Sequence, residues 1–69
     1  MVASDVSAYS KDLEKQRDSL LKDLKTLEER HEKGEIKEEQ YKERRHEIER
    51  ALVEILDRLA QTRFLMGQA

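Results

Sequence analysis

Two Glu-x-x-His patterns are the residues of this chain best suited to chemistry: Glu28 with His31, and Glu43 with His46. A carboxylate and an imidazole three positions apart share one face of a helix. Carboxylate-bridged di-iron centres in helical bundles use that spacing, with further glutamates projecting inward to complete the ligand set. Here the apolar periodicity puts His31 on an inward row but turns Glu43 and His46 outward, so the two pairs do not converge on one ion. Glutamate is also abundant enough that one three places before a histidine arises by chance. No metal and no cofactor is expected.

A second candidate is the basic run Lys42, Arg44, Arg45, His46 and Arg50, which has the charge to meet phosphate. Glu43, Glu47 and Glu49 are threaded through it, and the whole chain carries a net charge of −2. Phosphate binding draws its affinity from concentrated positive charge. Nucleic acid is therefore a disfavoured partner, and a small RNA-binding helical-hairpin dimer stands only as an alternative reading. Nothing else assembles into a catalytic set. There is no cysteine, no glycine-rich phosphate loop and no Gly-x-Ser-x-Gly, and a hairpin of helices offers no deep concave site. The chain is not expected to be an enzyme.

The elements that position these residues follow from one stretch, His31 to Tyr41. Gly34 is the only glycine before the extreme C-terminus and proline is absent. Glycine alone takes the left-handed conformation just past a helix end without a Cβ penalty. His31 and Lys33 precede it, where cations suit the negative end of a helix dipole; Glu35, Glu38 and Glu39 follow, where carboxylates suit the positive end of the next. With Lys37 as N-cap, Ile36 and Tyr41 take the positions of a hydrophobic staple, and Gln40 can reach back to the cap N–H. Lysine itself is a poor cap, so only half of a capping box is present.

The spacing predicts a single antiparallel helical hairpin: helix one over about 5–33, a turn over about 34–37 and helix two over about 38–66. Ser4, Asp5 and Ser7 are candidate N-caps for the first helix. Val6, Leu13, Leu20 and Leu27 recur every seven residues, and Ser10, Arg17, Leu24 and His31 form the complementary row. Tyr9 and Leu21 widen this seam. In the second helix the rows are Tyr41, Ile48, Ile55, Thr62 and Arg45, Leu52, Leu59, Met66. Each helix would be about 42–45 Å long. An antiparallel register brings Leu27 to Tyr41 and Arg45, Leu20 to Ile48 and Leu52, and Leu13 to Ile55 and Leu59. Arg17 and Arg45 on the seam are expected to snorkel or to pair with a glutamate of the other helix.

Composition sets the rest. Charged residues make up 43% of the sequence with interleaved signs, as in solvated helix faces carrying i,i+4 pairs such as Asp18/Lys22, Glu29/Lys33, Glu38/Lys42 and Glu54/Arg58. That much charge with few aromatics also suits disorder, but the regular apolar spacing opposes it. No apolar run reaches the roughly 18 residues of a membrane span, and Met1-Val2-Ala3-Ser4 lacks the features of a signal peptide. The chain reads as soluble and cytoplasmic. With 69 residues and no cysteine, one hydrophobic core supplies only about 3–5 kcal/mol, so association is the remaining way to complete it.

From Ala51 onward helix two carries more apolar residues than one seam can use. Val53, Leu56, Ala60 and Phe64, with Leu65 beside them, step by three and four along a second stripe. This stripe is the expected partner interface, either for a second copy forming a four-helix bundle or for a different protein; an isolated hairpin with some exposed apolar groups is the plainer alternative. A membrane-surface role for the amphipathic stretch Ala51 to Met66 is weakened by Glu54 and Asp57 on its polar face.

The turn string Gly34-x-Ile36-x-Glu38-Glu39-x-Tyr41, followed by Arg44-Arg45, resembles the Gly-x-Ile turn of SHOCT-like small helical hairpins, with Lys37 departing from the usual capping residue. The layout as a whole resembles the steadiness box of ESCRT-I subunits, a hairpin of similar size whose apolar second helix packs on partner subunits. Both resemblances imply a protein–protein contact: an oligomerisation, scaffold or assembly module, or alternatively a subunit fragment of an ESCRT-I-like membrane-remodelling complex.

Overall fold

A computed structural model describes the chain from residue 2 to residue 65, with side chains from residue 7. Two helices, α1 (Val2–Glu32) and α2 (Glu38–Leu65), lie side by side in a hairpin 49 × 15 × 14 Å in extent. The described residues include no strand, and no helix among them is long and apolar enough to cross a membrane. Met66, placed by its spacing on the seam, lies outside the described residues, as does the side chain of Val6.

The turn is built as the residue types dictate. Gly34 has φ +74°, the left-handed value that closes a helix. Its N–H donates to the carbonyl of His31 at 3.1 Å, and the N–H of Glu35 donates to that of Arg30 at 2.9 Å. Together these are the paired bonds of a Schellman motif, which satisfy carbonyls the helix leaves open. The position that usually carries an apolar contact across this motif holds an ion pair instead, Arg30 to Glu35 at 3.5 Å. Lys37 is the N-cap of α2: its carbonyl accepts the first helical bond, from Tyr41 N–H at 2.9 Å. The Gln40 side-chain oxygen accepts from the Lys37 N–H at 3.4 Å, the half capping box that the residue types allow.

The start of α1 differs from the expectation. The helix runs from Val2, so Ser4, Asp5 and Ser7 lie inside it and none is its cap.

Two contacts fix the register. Tyr41 hydroxyl reaches Glu28, and His31 reaches Glu38, so facing positions sum to 69. The core consists of Leu13, Tyr41, Ile48, Ile55 and Leu59, with Leu13, Ile55 and Leu59 in one cluster and Leu20 packed against it. Leu24, Leu27 and Leu52 on the same seam are half-buried. Thr62, also on the seam, is buried, and its hydroxyl donates to the Leu59 carbonyl at 2.7 Å. Tyr9 and Leu21 do not widen the seam. Both are exposed, because at about 100° per residue they fall on opposite flanks of α1.

Candidate functional site

The sequence singled out two regions, the polar groups near the turn and the apolar stripe of α2. The structure places them at opposite ends of the hairpin.

At the turn, His31 in the last turn of α1 faces the first turn of α2. Its Nε2–H donates to the Glu38 carboxylate at 2.8 Å. Its ring stacks on Tyr41, with centroids 3.7 Å apart and planes 9° from parallel. The Tyr41 hydroxyl donates to Glu28 Oε1 at 2.8 Å and accepts from Arg45 Nη1 at 3.3 Å. Arg45 in turn donates to Glu49 at 3.1 Å, with its guanidinium carbon 6.0 Å from the Tyr41 ring centre. The hydrogen bond from His31 holds the Glu38 carboxyl below its usual range, with the Lys42 charge adding to the effect. The bond to Glu28 pushes the Tyr41 phenol up, because ionising it would oppose a carboxylate.

These groups are tied to one another and converge on no vacant point. Glu28 serves the Tyr41 hydroxyl and His31 serves Glu38, while His46 is exposed on the outer surface of α2. Among the described residues no group of three or more His, Cys, Asp or Glu side chains is placed to hold a metal. The His31–Tyr41 stack and the Glu28–Tyr41 bond were missed in the sequence. Both His31 and Tyr41 stand on seam rows beside the turn, and that adjacency was the available signal.

The basic run is paired along its own helix. Lys42 lies 4.0 Å from Glu38, Arg44 3.0 Å from Glu47 and Arg45 3.1 Å from Glu49. Of the two courses expected for Arg17 and Arg45, the ion pair across the hairpin does not form, and each arginine meets a carboxylate of its own helix. Arg17 reaches Asp18 at 3.0 Å, which takes Asp18 from the expected Lys22. Each arginine has a carboxylate within reach on its own helix, and Glu28, the glutamate across the seam from Tyr41 and Arg45, accepts from the Tyr41 hydroxyl instead. The Glu54/Arg58 pair forms at 2.7 Å.

At the far end, Val53, Leu56, Ala60 and Phe64 lie on the surface of α2, with Leu56 50% and Phe64 69% exposed. At about 100° per residue the centre of this stripe is about 120° from the seam, on the side turned away from α1. Leu65 is 71% exposed and, with Ala60, Gln61 and Phe64, lines a hollow at the end of the helix. A second hollow on the same outer face is lined by residues that include His46, Glu49, Arg50 and Val53. Comparison of the chain with protein-family models, curated proteins and solved structures gives no match.

Proposed function

We propose that the chain is a protein–protein interaction module, acting as a scaffold or assembly element that associates through the outer face of α2. The observation that carries this reading is the stripe Val53, Leu56, Ala60 and Phe64, apolar and exposed on the side of α2 away from α1. Folding of the hairpin leaves these side chains in water, and their burial is favourable at about 25 cal/mol per Å². Regular apolar steps of three and four on an exposed helix face suit packing against another helix. The phosphate-binding alternative has less support, since Lys42, Arg44 and Arg45 each already face a glutamate.

Photo-crosslinking in cells tests this. A photoreactive residue at Leu56 or Phe64 should give protein adducts, while one at Glu43, on the polar half of the same helix, should not. Absence of adducts from both stripe positions would reject the reading.

A further inference from the structure

We propose that the outer face of α2 pairs with the same face of a second copy, antiparallel, about a two-fold axis at Leu56. The inference rests on the docking role of the stripe and adds its occupant. It comes from a self-complementarity in the placement of charge and shape along α2.

Glu49 and Arg63 stand seven residues before and seven after Leu56, so all three lie on one flank of the stripe. Antiparallel helices bring like flanks together, as in antiparallel coiled coils. With Leu56 on the axis, Glu49 of each copy, whose carboxylate already accepts from Arg45 of its own helix, therefore also meets Arg63 of the other, twice over. Val53 and Ala60, three before and four after Leu56, fall opposite one another across the interface. A parallel pairing would set unlike flanks together, so Glu49 and Arg63 of the two copies would lie on opposite sides of the interface and this match would be lost.

Shape follows the same symmetry. Phe64, 69% exposed, projects eight residues beyond the axis. The antiparallel register carries it to the region around residue 48 of the second copy. There the outer face carries a shallow depression whose lining joins His46, Arg50 and Val53 to the acidic Glu49, Glu54 and Asp57. Arg50 lies on the same flank as Phe64, so the ring reaches a guanidinium able to make a cation–π contact. Each copy thus supplies both the protruding ring and the hollow. One element opposes the pairing: Asp57 lies on the other flank next to the axis, close to its own counterpart. The stripe faces away from α1, so the four helices are ordered α1, α2, α2, α1, with the two α2 helices at the centre.

Light scattering of the purified chain over a concentration series tests this. The mass should rise from 8.2 kDa toward twice that value. Arg63→Glu should weaken association about tenfold, and adding Glu49→Arg to it should restore association. Asp57→Asn should strengthen it. Leu56→Cys should oxidise to a covalent dimer, while Glu43→Cys, far from the axis, should not. All these positions are exposed, and circular dichroism should show that each variant keeps its helicity. A monomer at millimolar concentration, or a double charge swap as weak as Arg63→Glu alone, would overturn the pairing. If crosslinking from Leu56 then captures a different protein, docking through the stripe stands and self-pairing falls; if it captures nothing, both fall.

Discussion

The rings of His31 and Tyr41 lie face to face, 3.7 Å between centroids and 9° from parallel, across the mouth of the turn. This stack joins the last turn of α1 to the first turn of α2 where the backbone alone would leave them free to splay. The polar edges are secured as well, His31 by Glu38 and Tyr41 by Glu28. Backbone and side chains hold the hairpin closed by separate means, and each can be tested separately.

The side-chain means titrates at both ends of the pH scale. The Glu38 carboxyl is held down by the bond from His31, so its contribution is present above its unfolded value and is lost as pH falls through the lower folded one. The Tyr41 phenol is raised by Glu28, so its contribution is present below the ordinary tyrosine value and is lost as pH rises through the raised one. The groups facing the stack are Glu28, Glu38, Lys42 and Arg45. Thermal melts across pH should show stability falling on both the acid and the alkaline limb. Glu38→Gln should flatten the first and Tyr41→Phe the second. An unchanged alkaline limb in Tyr41→Phe would contradict the assignment.

The backbone means depends on Gly34. A Cβ there meets nothing within 4 Å, so crowding does not enter and only the positive φ opposes a side chain. Gly34→Ala should destabilise the hairpin by about 1–2 kcal/mol. D-Alanine in a synthetic chain, which favours positive φ, should be tolerated or stabilising. The denaturant midpoint should therefore fall in Gly34→Ala and hold level or rise with D-alanine.

Leu13 is 1% exposed at the centre of the far-end cluster with Ile55 and Leu59. Leu13→Ala should cost about 2–5 kcal/mol, comparable to the whole stability of a core this small. Helicity measured by circular dichroism should largely collapse. Leu21→Ala, on an exposed flank of the same helix, should change stability by less than about 1 kcal/mol.

What the sequence made legible was whatever period or backbone chemistry decides. Gly34 announces its left-handed turn because no other residue nearby could adopt it cheaply, and the seven-residue recurrence of Leu13, Leu20 and Leu27 requires one buried face. The helix start was not legible, since Ser4, Asp5 and Ser7 cap only if the chain before them is not already helical. Nor were the ion pairs. Arg45 has several glutamates within reach, and only its packing against Tyr41 decides for Glu49. Side-chain selection among near-equivalent neighbours leaves no periodic trace.

Thr62 shows how little a buried hydroxyl contributes when its partner is local. It is 1% exposed, and its Oγ1 donates to the Leu59 carbonyl of its own helix at 2.7 Å. That bond satisfies the hydroxyl but links nothing across the seam, and such back-bonding slightly destabilises helices. Replacing the hydroxyl by a methyl of the same shape leaves no buried donor unpaired, since the carbonyl keeps a second lone pair for the helix. Thr62→Val should therefore be neutral or stabilising by up to about 1 kcal/mol, as it extends the apolar row of Ile48 and Ile55 by one step. Thr62→Ser keeps the hydroxyl and loses a buried methyl, and should cost about 1 kcal/mol. A Thr62→Val variant that melts well below the parent chain would show that the hydroxyl holds something other than its own helix.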